Sequence, residues 1–126
     1  MAIPIPHAAV DPLAIAEALS EYWSPKVIAE FDDCYIKVAK VLGQFVWHAH
    51  EHEDEVFHVL RGSFRIAMES HTVQIDAGQV YVVPRGVRHC PIAEQECLIL
   101  LIERKSTLHT GGVDSPLTKD VSQQLI

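Results

Sequence analysis

The chain has no apolar stretch long enough to cross a bilayer as a helix. Its longest uninterrupted apolar run is Cys97–Ile102, six residues, where about 20 are required. Basic residues are scarce as well. Ten Lys and Arg lie scattered among seventeen Asp and Glu, a formal charge of −7. Nucleic acid and anionic membrane surfaces are bound by clustered cations, so neither is an expected partner. Cysteine is limited to Cys34, Cys90 and Cys97, an odd number with no Cys-x-x-Cys pair. That excludes a disulfide framework and leaves the thiols as small buried hydrophobes. The opening residues, Met1-Ala2-Ile3-Pro4-Ile5-Pro6, have no basic start and no apolar stretch before a cleavage site. A secretory leader is therefore not expected, and the cytoplasm is the expected compartment. Internal repeats and linkers are absent. At 126 residues, one domain with one core is expected.

Histidine, by contrast, is abundant. There are eight, and His48, His50, His52 and His58 fall within eleven residues. Their setting is β-rich. Asp11-Pro12 reads as a helix start, with Asp as N-cap and Pro at the first helical position. Leu13, Ala16, Leu19 and Trp23 recur near helical spacing, which predicts one short helix over Asp11–Tyr22. From Lys26 onward, short β-branched and aromatic runs alternate with turn residues. The runs are Val27–Phe31, Tyr35–Leu42, Phe45–His50, Val56–Leu60, Phe64–Met68, His71–Ile75, Val80–Val83, His89–Ile92 and Cys97–Glu103. A turn is expected at Ala93–Gln95, so that Cys90 and Cys97 flank a hairpin. Strands without intervening helices predict an all-β antiparallel sandwich or barrel. The organisation is then an arm and helix over 1–25, a barrel over 26–104 and an irregular tail over 105–126. Cys97–Ile102 is apolar on both faces and needs cover, from the helix or from a second subunit.

Side chains two apart on a strand share a face. His48 and His50 therefore point the same way, with Trp47 and Ala49 opposite. Two imidazoles on one face form half a metal site. Glu55 opens the next strand, where a hairpin brings its carboxylate near them, and Phe57 shares its face. His89 follows Gly78, Pro84 and Gly86, which turn the chain so that it faces the same interior. His48, His50, Glu55 and His89 are the candidate ligands. The mixed N/O set suits one divalent first-row metal, Fe, Mn, Ni, Cu or Zn. Candidate pocket residues are Phe57, which reads equally as core filler, together with Tyr81, Gln74 and Ala93. His52 in its acidic loop reads as solvated, and His58 as outward or at an interface. His7, His71 and His109 read as surface residues. Trp47 is expected to pack between sheets or against the helix, and Arg85 and Arg88 to be exposed. No general base apart from the ligands is evident.

Two motifs carry a family resemblance. His48-Ala49-His50, four residues, Glu55, six residues and Gly62 form the first. Gly78, Pro84, Gly86 and His89 form the second. In this order and spacing the chain resembles the cupin superfamily, in its compact single-domain form. Gly43 sits one residue closer to His48 than in that pattern, and Ala93 stands where the pattern ends in Asn. The resemblance implies a jelly-roll barrel, a double-stranded β-helix, here with one short N-terminal helix. It implies a metal-dependent enzyme on a small oxygenated ligand, dioxygenase-like first and sugar or keto isomerase second. The missing Asn argues against oxalate-oxidase-type chemistry. The alternative is a non-catalytic binding, sensor or storage module. The resemblance also implies a homodimer, with the arm Ala2–Val10 suited to exchange between subunits.

Overall fold

The computed structural model describes residues 8–125. Most of the arm expected at Ala2–Val10, and His7 with it, lies outside them. The described elements are α1 (Pro12–Glu17), β1 (Lys26–Phe31), β2 (Cys34–Gln44), β3 (Glu55–Arg61), β4 (Ser63–Met68), β5 (Thr72–Asp76), β6 (Val80–Val83), β7 (His89–Arg104) and α2 (Val121–Gln124). All pairings among these strands are antiparallel. Five run in the order β1-β2-β7-β3-β6, and the β4–β5 hairpin joins through β4 to β7.

Strand β7 is the spine of this barrel. Its second half lies between β2 and β3, while His89–Ile92 pair with β4. The turn expected at Ala93–Gln95 does not form. The register against β2 instead jumps from Val41–Cys97 to Gly43–Ala93, and the exposed Glu94, Gln95 and Glu96 take up the extra length. The strand bends there rather than reversing, as a bulge allows. Cys90 and Cys97 are both buried free thiols on this one strand. The expected strand Phe45–His50 is also altered. It runs extended beside the start of β7, held by Phe45 N–H to Pro91 O (2.9 Å) and the His48–His89 pair (3.0 and 2.8 Å). These bonds are too few for a continuous ladder, yet they keep the chain straight enough for the two-residue alternation to hold.

The helix begins as expected. The Asp11 carboxylate accepts from Leu13 N–H and Ala14 N–H, and Pro12 is the first helical residue. It ends at Glu17, earlier than the periodicity predicts. Trp23 belongs to the barrel, not to the helix face. Its ring stacks on Phe45 at 4.8 Å and its indole N–H donates to Leu42 O at 2.7 Å. Burying the largest side chain in the main core outweighs another turn of helix. The Cys97–Ile102 run then finds cover on both sides. Cys97, Ile99 and Leu101 join the barrel core with Phe57, Phe64 and Ile66. Leu98 packs outside against Ala16 of α1 and Val38, with Leu100 alongside. Cover for Leu98 is thus supplied within the chain. The tail expected to be irregular forms α2, whose N-cap Asp120 and Gln123 make a reciprocal capping box.

Leu98 is the apolar anchor between helix and barrel. Leu98→Ala should cost about 2–5 kcal/mol, read as a lower urea midpoint with an unchanged slope.

Candidate metal centre

His48 and His50 reach the interior from the extended segment, Glu55 from the first position of β3, and His89 from the first position of β7. All four are buried, and one ligand atom of each lies within 4.8 Å of the others. His48 Nδ1 donates to Val46 O at 2.8 Å, and His89 Nδ1 donates to Val87 O at 2.9 Å. A carbonyl only accepts, so these bonds place the proton on Nδ1 and leave Nε2 as a lone pair. At His89 that lone pair faces Glu55 Oε1 across 3.5 Å, and His50 Nε2 faces the same oxygen across 3.4 Å. His50 Nε2, Glu55 Oε1 and His89 Nε2 are all buried without a hydrogen-bond partner among the described residues. Each such orphan costs about 1–3 kcal/mol. Positive charge must sit between these atoms, as protons on the imidazoles or as a bound cation, and the donor set fits a cation.

The electrostatics agree. Burial pushes the His48 imidazole down to about 4, and the neighbouring His89 adds to the effect. It is therefore a neutral donor at pH 7. Burial alone would raise the Glu55 carboxyl, but contacts from His50, His89 and Glu103 hold it well below the ordinary carboxylate range.

The interior contains ionisable groups that the sequence reading missed. Glu103 lies directly across the β3–β7 ladder from Glu55. Lys37, only 2% exposed, bonds Glu103 Oε1 at 2.6 Å and also Gln124 Oε1. Burial and the charge of Glu55 push the Glu103 carboxyl well above its ordinary value, against the pull of Lys37. Glu103 is thus the more easily protonated of the two facing carboxyls. A signal was present: Cys97, Ile99, Leu101 and Glu103 share one face of β7, so Glu103 continues the inward side of an apolar strand. His109, expected at the surface, is half-buried with its ring 5.0 Å from Phe45. Burial, and then the charge of Lys37, push it down to about 4.

Two spaces meet the cluster. An inner cavity of about 40 Å³ touches His48, Glu55, Glu103 and His109 and is otherwise walled by apolar groups such as Phe45, Phe57 and Ile99. An outer cleft of about 730 Å³ reaches His48 and His50 past Trp47 and Arg88.

Comparison with known proteins places this architecture. A family model described as "Cupin domain" matches residues 37–103. The chain belongs to the cupin family. This cupin is 42% identical to a cupin-2 domain containing protein from Shewanella frigidimarina NCIMB 400, with a TM-score of 0.74 over 76% of this chain and 94% of that one. The structure of protein NMB1881 from Neisseria meningitidis is 28% identical, with a TM-score of 0.70 over 78% of this chain and all of that one (100%). "Uncharacterized protein YdbB" of Bacillus subtilis (strain 168) is 30% identical over 94 residues, 74% of this chain and 83% of that protein. The family match contains all four donors, Lys37 and Glu103. His109 and Gln124 lie in the tail, outside the matched residues.

The candidate pocket residues separate. Phe57 is both core and wall: it is buried, lines the inner cavity and sets its ring 6.4 Å from His89. Tyr81 lines a different cleft and donates to Met68 Sδ at 3.6 Å. Gln74 faces solvent and bonds Asp76, because Ile75 takes the inward position of β5. Ala93 is inward but packs in the core opposite Gly43 and lines neither space at the cluster. Trp47, expected between sheets, stands half-buried at the cleft mouth with the Arg88 guanidinium 4.9 Å over its ring. Arg85 is exposed and pairs with Asp54, and His52 and His71 are exposed. His58 is half-buried with Nδ1 toward Gln79 O.

The low values at His48 and His109 have a stability consequence. An unfolded histidine titrates near 6.5, and these two titrate near 4 when folded. Between those limits the unfolded chain binds more protons, so each histidine makes stability rise with pH and fall as pH drops through the window. The effect is at most about 1.4 kcal/mol per pH unit per group. Urea midpoints of metal-free protein, taken in half-unit steps across this window, should fall less steeply toward acid in His109→Gln than in the unaltered protein.

Proposed function

We propose that this cupin binds one divalent first-row transition metal, Fe, Mn, Ni, Cu or Zn, through His48, His50, Glu55 and His89, and acts on a small oxygenated molecule. The observation that carries the proposal is the convergence of three buried, partnerless atoms, His50 Nε2, Glu55 Oε1 and His89 Nε2. Three imidazoles and one carboxylate favour such a metal over Ca or Mg, which prefer oxygen donors. When bound, the metal supplies Lewis-acid or redox chemistry.

The chain's own groups have definable roles around it. Val46 O and Val87 O hold the His48 and His89 rings with Nε2 inward. Glu103 pairs with Lys37 at the edge of the inner cavity, its carboxyl raised by burial and by the charge of Glu55. Aromatic and aliphatic side chains make up most of the cavity wall. The outer cleft, with Trp47 and Arg88 at its mouth, provides an approach for a ligand larger than the inner cavity holds. This open approach supports an enzyme over a closed structural site. Dioxygenase-like chemistry is the first reading and sugar or keto isomerisation the second.

Untagged protein should carry close to one metal per chain by elemental analysis. His48→Ala and His89→Ala should each lower metal affinity at least tenfold. Fe(II)-loaded protein should consume oxygen with some member of a panel of diols, diketones and thiols above the His48→Ala background. An absence of metal in the unaltered protein sinks the proposal. Metal with no oxygen uptake and no isomerisation leaves the binding-module alternative standing.

The proposed assembly is a homodimer. Val80 and Val82 project from the edge strand β6, 59% and 45% exposed, and apolar edges invite pairing. Light scattering at micromolar concentration should give twice the chain mass of 14.1 kDa. A monomer mass rejects it.

A further inference from the structure

His109 is placed as a functional group rather than as a surface residue. Its Nδ1 accepts the backbone N–H of Lys119 at 2.8 Å. A backbone N–H has no acceptor to offer, so Nδ1 must be the unprotonated nitrogen. The proton of the neutral ring is then on Nε2. No described residue accepts a hydrogen bond from that nitrogen. The ring borders the same inner cavity as His48, Glu55 and Glu103.

The segment that carries His109 is anchored on the first motif. Gly111 has φ +61, and a Cβ there would overlap the Ala49 carbonyl, between His48 and His50. Only glycine combines that backbone conformation with that approach. Thr110 Oγ1 donates to Val113 O at 2.7 Å and bonds Thr118 Oγ1 at 2.7 Å, closing the tail on itself. Phe45 on one side and Lys119 on the other leave the imidazole little freedom.

We propose that His109 Nε2–H is a fixed donor to an oxygen of the ligand that enters the inner cavity beside the metal centre. The inference rests on the metal-binding reading above and specifies a ligand contact for it. A neutral N–H donor selects an acceptor: a carbonyl, carboxylate or hydroxamate oxygen. The cavity of about 40 Å³ has room for about three waters at the ~10–15 Å³ each requires. The ligand is therefore a very small oxygenated molecule, or the oxygen-bearing end of a larger one whose remainder lies in the outer cleft. His109 is a ligand-binding residue contributed by the tail, from outside the segment that matches the family.

Two measurements test this. Nitrogen-15 imidazole spectra of the metal-free protein at neutral pH should show His109 as the Nε2–H tautomer. The Nδ1–H tautomer overturns the proposal irrespective of metal. The second measurement titrates acetohydroxamate, a small two-oxygen chelator, into Co(II)-loaded protein and follows visible absorption. His109→Ala should weaken binding about five- to tenfold, the size of one hydrogen bond. His109→Gln, which keeps an N–H donor, should stay within about twofold of the unaltered protein. Each protein's cobalt content and melting temperature show whether it is folded and loaded. If cobalt binds normally but probe affinity is unchanged in His109→Ala, or equally weakened in both variants, the proposal fails and the metal reading survives. If the unaltered protein takes up no cobalt, both fail.

Discussion

Glu55 is buried at the first residue of β3 with two imidazole nitrogens against one of its oxygens, and the interior is organised to make that tolerable. Removing a carboxylate from water costs several kcal/mol unless positive charge and hydrogen bonds replace its hydration. Among the described residues no arginine is buried for the purpose. The barrel supplies His50 and His89 at 3.4 and 3.5 Å, and beside them Glu103, whose carboxyl is raised by burial and by the charge of Glu55. Lys37 balances Glu103, and Gln124 from the last helix accepts from Lys37 in turn. A chain of dependencies thus runs from the cluster through the sheet to the C-terminal tail. His50 Nε2, His89 Nε2 and Glu55 Oε1 still lack hydrogen-bond partners among the described residues, and a divalent cation would satisfy all three together.

The surrounding fold serves this centre by separating its two approaches. β7 carries His89 at its start and Glu103 near its end, and its bend at Glu94–Glu96 brings both into one interior. The inner cavity is narrow, apolar and bordered by donors of fixed orientation. The outer cleft is wide and lined by both polar and apolar side chains. The ligand donors sit between the two, with His48 bordering both. This arrangement accounts for the acidity of the chain only in part, since most of its carboxylates remain on the surface.

Much of this was legible beforehand. The His48/His50 pairing follows from strand alternation, and the alternation survived although the segment lacks a full ladder. The helix start at Asp11-Pro12 was readable because capping is local chemistry. Three readings failed for one shared reason, that packing overrode a local pattern. Trp23 matched the helix spacing but fills the barrel. Ala93–Gln95 matched a turn but lies in a bent strand that both β2 and β4 need as a partner. Gln74 and Tyr81 were near the motifs in sequence, yet the parity of β5 sends one to solvent and the pairing of β6 places the other beside a separate cleft.

Local patterning therefore determined most of the strands, the turn glycines and the shared facing of the four candidate ligands, because alternation and turn chemistry depend on neighbours in the chain. The roles of Lys37, Glu103, His109 and Gln124 were decided only by the tertiary structure. None is near the histidine cluster in sequence. Lys37 and Glu103 meet because β2 and β7 pair, and His109 and Gln124 arrive because the tail folds back over the barrel. A charge becomes functional when water is removed from around it, and that burial is a property of the assembled core rather than of any segment.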